Sequence, residues 1–265
     1  MKNMCLKNRK MRLAVSMLFP CTMLLCGCCG SKKVVTEAYS VGGVQFTMVE
    51  VKGGSFKMGP TEAQEKESHD VDYPVHKVTL SDYYIGQTEV TQALWMAVMD
   101  YNPSEFQDPQ KPVENVSWYE CVQFIEKLNK LTNQNFRLPT DAEWEYAARG
   151  GKNSKNYKYS GSDVLNDVAW NINNSGGQSH VVATKKPNEL GIYDMSGNVW
   201  EWCDDWFYPV DDKPAKNPRG LKPSPQNIKI DRGGGWNRSP RSVTSYRGRD
   251  KASYKDPNLG FRLAK

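Results

Sequence analysis

Histidine is scarce in this chain of 265 residues, and the three present, His69, His76 and His180, share no helical i, i+4 spacing. The sequence therefore offers no histidine-based zinc or iron site. It also lacks a Gly-x-Ser-x-Gly elbow, a phosphate-binding P-loop and a dinucleotide fingerprint, which removes the common hydrolase and nucleotide chemistries. The apolar run Leu13 to Leu25 covers 13 residues, too few to cross a bilayer comfortably. A lasting excess of positive charge is missing as well. Removing residues 1–27 takes away Lys2, Lys7, Arg9, Lys10 and Arg12 and no acid, so 35 basic against 30 acidic residues becomes 30 against 30. The remainder is close to neutral, which gives no case for nucleic acid or an anionic membrane surface as a partner.

What is present at the start is an export leader: a basic opening, then the short apolar run. The run ends in Leu25-Cys26-Gly27-Cys28, which resembles a bacterial lipobox, where a small residue precedes a cysteine that is acylated (palmitate or a similar chain) and becomes the new N-terminus. Cys28 is then the lipid anchor, holding the protein to a membrane, the bacterial outer membrane first. An ordinary cleaved signal rich in cysteine is the alternative. Cleavage leaves four of seven cysteines, and only Cys121 and Cys203 fall in the folded part. Export permits a disulfide between them, but one lies on an apolar helical face and the other in a tryptophan-rich run, so both read as buried thiols.

Residues 28–42 read as anchor and tether, and 43–265 as one irregular α+β domain. Val44 to Val51 has strand composition, and Gly53-Gly54 marks a turn into Ser55–Met58, which predicts a hairpin. Thr91, Ser117 with Glu120, and Thr140 with Glu143 predict three helix starts, each followed by apolar residues at helical spacing. All eight tryptophans lie beyond position 90 and supply a core for a chain that is rich in glycine, asparagine and proline after about position 150.

One segment has the donors of an ion site. In Tyr193-Asp194-Met-Ser-Gly197-Asn198-Val199-Trp200-Glu201-Trp202, two carboxylates bracket a tight turn, and oxygen donors alone favour calcium over zinc. On spacing alone, Asp194 and Glu201 serve equally as turn caps or arginine partners.

Several ordered motifs then carry a resemblance: Gly53 to Gly59, Glu89-Val-Thr-Gln92, Pro112 to Trp118, Phe136 to Arg149, Gly191 to Trp202, Arg232-Gly-Gly-Gly-Trp236 and Gly260-Phe-Arg-Leu263. Over residues 44–265 the chain resembles the formylglycine-generating enzyme (sulfatase-modifying factor) family. The resemblance implies a loop-rich C-type-lectin-like fold. It also implies a calcium ion held by the side chains of Asp194 and Glu201 and the carbonyls of Gly197 and Val199, with Asn198 stabilising the turn. The family's enzymes bind copper(I) through two cysteines five residues apart and oxidise a substrate cysteine to formylglycine. In this chain those positions hold Arg238 and Val243, so no copper is expected. The iron-dependent sulfoxide synthases that are related to these enzymes use a histidine cluster that is equally missing.

The stretch Asp231 to Asp250 is where that chemistry would sit. Gly233, Gly234 and Gly235 suit a close turn, and Trp236 with Phe261 is expected to pin the C-terminal hairpin. Arg232, Arg238, Arg241, Arg247 and Arg249 follow among Asn237, serines and Tyr246. This is either a ligand surface built from Asn237, Arg238, Arg241, Tyr246 and Arg247, or a solvated basic loop balanced by Asp231, Asp250 and Asp256. Two functions compete: a lipid-anchored, non-catalytic module that holds an envelope protein, peptide or glycan, or a formylglycine-generating oxidoreductase with an altered site. Envelope lipoproteins resembling the family include parts of secretion and gliding machinery, which suits the first.

Overall fold

The computed structural model describes residues 34–64 and 74–265; the leader, Cys28 and His69 lie outside the described residues. In chain order the first elements are β1 (Thr36–Val41), β2 (Val44–Val51), β3 (Ser55–Met58), β4 (His76–Thr79), β5 (Tyr83–Gly86), α1 (Gln92–Met99), α2 (Trp118–Thr132) and α3 (Asp141–Ala148). After them come α4 (Leu165–Val168), β6 (Trp200–Trp206), β7 (Ala215–Lys216), β8 (Ile228–Arg232), β9 (Arg247–Lys251) and β10 (Leu259–Gly260). The result is a loop-rich α+β fold. No helix among the described residues is long and apolar enough to cross a membrane.

Local chemistry starts the three main helices where the sequence predicts. Thr91 accepts from the Leu94 amide at 3.2 Å, and Ser117 and Thr140 each close a reciprocal capping box, with Glu120 and Glu143. Each cap satisfies amides that the first turn leaves without partners.

Three small sheets are built around these helices, in the orders β1-β2-β5, β3-β4-β7 and β10-β6-β8-β9. Two expectations are corrected here. The tether gives way to a strand, because β1 pairs with β2 from Thr36↔Val49 to Val41↔Val44 and Val41 enters the core. Its mixture of polar and apolar residues, Thr-Glu-Ala-Tyr-Ser-Val, fits an edge strand as well as a linker. The expected hairpin also fails: β2 pairs with β5 and β3 with β4, so Gly53-Gly54 carries the chain between sheets. Glycine is needed there, since a Cβ on Gly53 would lie 2.3 Å from the Leu80 carbonyl oxygen.

Two large apolar cores result, and a smaller cluster gathers Tyr159, Val168 and Val243. Around α1 and α2, Trp95 stacks on Phe124 with centroids 5.2 Å apart, and Phe261 meets both rings edge-on. The second core joins α3 to β2, β5 and β8 through Trp144, Ile85 and Ile230 and encloses Cys203. Cys121 and Cys203 are both free and buried, as expected, and burial raises both thiol pKa values well above the ordinary range. The pin is different from the expected one: Trp236 packs edge-on against Phe106, with Phe261 in the first core.

Candidate functional site

The arginines of the predicted surface divide into two groups. Arg232 is fully buried on β8 and donates to Asp141 and to Glu145, the latter at 2.7 Å, and also to the Thr244 and Tyr246 carbonyls. Arg247 is buried too, bonded to the other Asp141 oxygen at 2.7 Å and to the Tyr208 carbonyl. The Arg247 guanidinium is therefore committed to the scaffold. Strand register explains this, since Arg232 and Arg247 face each other across β8 and β9 and point together at α3. Arg249 lies over the Phe207 ring at 4.6 Å. Arg238 and Arg241 remain exposed on the loop.

These two stand at a cavity of about 420 Å³, within the range of ligand sites. Asn237, Arg238, Arg241, Tyr246 and Arg247 all line it, so the five predicted ligand residues meet, Arg247 with its guanidinium already engaged by Asp141. Asp231, Asp250 and Asp256, which the sequence assigns to balancing the arginines, line it too, together with Arg249. Asp231 is 3% exposed and its Oδ2 has no hydrogen-bond partner, as has Asn237 Oδ1. Burial, followed by the charge of Asp250, pushes the Asp231 carboxyl well above the usual range. Asp256 accepts from the Tyr254 hydroxyl at 2.8 Å and the Asn258 amide at 3.0 Å. Gly248 faces Asp231 in the β8–β9 register, and a Cβ there would fall 1.9 Å from Asp231 Oδ1.

The predicted ion segment forms a second polar centre. Glu201 is fully buried and clamped by Arg262, whose Nη2 donates to Oε1 at 2.6 Å and whose Nε donates to Oε2; Trp144 Nε1 adds a bond at 2.7 Å. Asp194 accepts from the Ala183 amide through Oδ2 at 2.7 Å and leaves Oδ1 without a donor. Glu89 was missed by sequence reasoning, although it opens one of the quoted motifs. It is 2% exposed, accepts from Asn198 Nδ2 through Oε1 at 3.0 Å, and leaves Oε2 without a donor. Burial, with the charge of Glu201, pushes Asp194 up to about 6, and burial with the charges of Asp194 and Glu201 pushes Glu89 well above the usual range. Asn198 binds the Trp170 carbonyl, the His180 amide and Glu89, and so holds the turn as expected. Gly197, with φ of +80°, could not carry a side chain, because a Cβ would lie 2.3 Å from the Trp170 carbonyl oxygen.

These residues fit a hard cation in part. Three carboxylates against one guanidinium leave negative charge to be neutralised, and Asp194 Oδ1 and Glu89 Oε2 are uncovered oxygens. Glu201, by contrast, is already occupied by Arg262. Among the described residues no three histidine, cysteine or acidic side chains meet closely enough to hold a metal by themselves. A soft cation fits nowhere on the arginine loop: Arg238 carries fixed positive charge, Val243 is fully buried, and Cys121 and Cys203 lie in separate cores. His76 and His180 engage the Pro74 and Ser175 carbonyls respectively.

The family model described as the sulfatase-modifying factor enzyme 1-like domain matches residues 41–265. A chaperone protein, LppX, from Paenibacillus barcinonensis is 36% identical across 84% of this chain and 90% of its own length. The formylglycine-generating enzyme of Streptomyces coelicolor is 33% identical over 59% of this chain, which spans about half (53%) of that enzyme. Among solved structures, Treponema denticola variable protein 1 superposes with a TM-score of 0.77 at 33% identity, covering 87% of this chain and 98% of that one.

Proposed function

Because the chain belongs to the family of sulfatase-modifying factor enzyme 1-like domains, its activity turns on which of that family's working residues it keeps, and we propose a non-catalytic binding or assembly module of the cell envelope. One observation carries this reading. Where the family's oxidising enzymes need two thiolates, this chain has Arg238, exposed at the cavity, and Val243, buried in a small cluster with Tyr159 and Val168. A guanidinium repels a metal cation and donates hydrogen bonds to carboxylates and carbonyls instead. The same loop lines a cavity of about 420 Å³ walled by arginines, aspartates and Tyr246, a surface for holding a partner.

The likeness to a protein named a chaperone, over most of both chains, supports a role in holding another protein. The lipobox-like Leu25–Cys28 supports acylation of Cys28, which would keep the domain on the bacterial outer membrane with its cavity facing envelope proteins or glycans. A calcium ion held by Asp194, with the carbonyls of Gly197 and Val199 and with Glu89 and Glu201 nearby, would supply positive charge to a centre that is short of it. Its role there is structural, locking the turn against the loop that carries Ala183.

The test is capture from envelope extracts with wild-type bait and with Arg238→Ala and Arg241→Ala baits. Loss of specific partners from the variants is expected; identical captures would remove the loop as the contact surface. The second reading, a formylglycine-generating oxidoreductase with a divergent site, draws on the likeness to the Streptomyces enzyme. Tight, stoichiometric copper(I) binding would favour it.

A further inference from the structure

The charged residues around the cavity differ in what they have left to offer. Arg247 is buried and held by Asp141, and Arg249 lies over the Phe207 ring at 4.6 Å. Asp256 accepts from the Tyr254 hydroxyl and the Asn258 amide, one through each oxygen. Asp231 is shut behind Trp200 and Gly248: it is 3% exposed, and a Cβ on Gly248 would meet Asp231 Oδ1 at 1.9 Å and Trp200 Cζ3 at 3.0 Å. Lys229, opposite Asp250 in the β8–β9 register, sits between the Trp118 and Trp206 rings and donates to the Asp204 carbonyl at 2.6 Å. What faces a guest is therefore Arg238 and Arg241, both exposed and without an acid partner among the described residues, and the part-exposed Asp250. Two guanidiniums against one carboxylate leave one positive charge to be met.

The two arginines are also held ready. The Arg238 amide donates to the Gly235 carbonyl at 3.0 Å and its carbonyl accepts from the Ile172 amide at 3.2 Å, so its main chain is fixed from two sides. A single 3₁₀ turn, Pro240–Ser242, follows, and the fully buried Ser242 and Val243 tie down the chain after Arg241. The Arg241 guanidinium lies over the Tyr246 ring at 5.4 Å, a contact that consumes none of its hydrogen-bond donors. A loop fixed before binding loses little entropy when a partner arrives. Charge balance then narrows the guest. A phosphoryl group brings about −1.5 to −2 charges at pH 7, an excess beside Asp250, and a run of acids brings more. A neutral sugar would use the donors but none of the charge. One carboxylate matches, because its two oxygens take paired N–H donors from a guanidinium, while Asp250 accepts from a main-chain N–H of the same guest.

We infer that the cavity receives a single carboxylate of a partner peptide, from an acidic side chain or the C-terminus, on Arg238 and Arg241. This rests on the binding-module reading above and names its guest. The test is selection on the full chain from a random-sequence peptide library with free C-termini. Affinities are then measured for the best peptide and for counterparts with glutamine or asparagine replacing each acid, or with an amidated C-terminus, which separates the two sources. Neutralising one carboxylate should weaken binding about tenfold, and Arg238→Ala and Arg241→Ala should cost as much. Arg241→Lys, which keeps the charge, should retain more binding than Arg241→Ala. Both arginines are exposed, so the variants keep the fold, which thermal unfolding checks. Neutralised counterparts that bind as well as the parent would overturn the carboxylate guest and leave the module standing. Tighter binding of a phosphorylated counterpart, or of a glycan in place of any peptide, would do the same. A library from which nothing is enriched would overturn the peptide guest, and the envelope capture above decides the module reading separately.

Discussion

Changing Arg232 to methionine should separate scaffold from surface among the arginines. Methionine keeps much of the stem but leaves Asp141 and Glu145, both buried, without their shared donor, along with the carbonyls of Thr244 and Tyr246. Removing one partner of a buried ion pair costs about 3–5 kcal/mol, because the remaining charges stay buried. For a domain of this size each kcal/mol lowers the melting temperature by roughly 2–4 °C, so a drop of about 6–20 °C is expected. Arg238→Ala and Arg241→Ala, on exposed side chains, should change stability by less than about 0.5 kcal/mol. Thermal unfolding followed by circular dichroism measures all three. A melting temperature for Arg232→Met within about 2 °C of wild type, or a loss as large in Arg238→Ala, would refute the division of roles.

Three further outcomes are expected. Calcium should raise the melting temperature and a chelator should lower it, since a ligand that binds only the folded state stabilises it; Asp194→Ala should abolish the difference. Cys121 and Cys203, fully buried with raised pKa values, should react with a thiol reagent only after denaturant is added, and fast reaction in the native state would contradict their burial. Glu114 is buried, and desolvation raises its pKa from 4.5 to about 7. A raised carboxyl pKa means that the folded state holds its proton more tightly, so this contribution is complete below about 4.5 and is lost as pH rises through about 7. Glu114→Gln should flatten that part of the stability profile, seen as a difference from wild type in denaturant titrations across this range.

The parts of the fold that sequence revealed are those set by neighbours along the chain. Thr91, Ser117 and Thr140 start helices because a hydroxyl and an amide three residues on meet within one turn. The hairpin at Gly53-Gly54 misled because that signal is equally that of a chain passing close to another backbone, here Leu80 and Ser81. Strand β1 has an edge strand's composition, which differs little from a polar linker's. At the site, Asn237, Arg238, Arg241 and Tyr246 were legible because one loop carries them. The fate of Arg247 depended on Asp141, 106 positions away. Glu89 and Asp194 come together across 105 positions, and Asp231 becomes a cavity wall only when Gly248 is set opposite it.

The most direct measurement supplies the purified protein with copper(I) and air, adds a peptide thiol, and follows the peptide by mass spectrometry and an aldehyde-reactive probe. The account predicts that the thiol is recovered without conversion to an aldehyde. Catalytic formation of the aldehyde would contradict it.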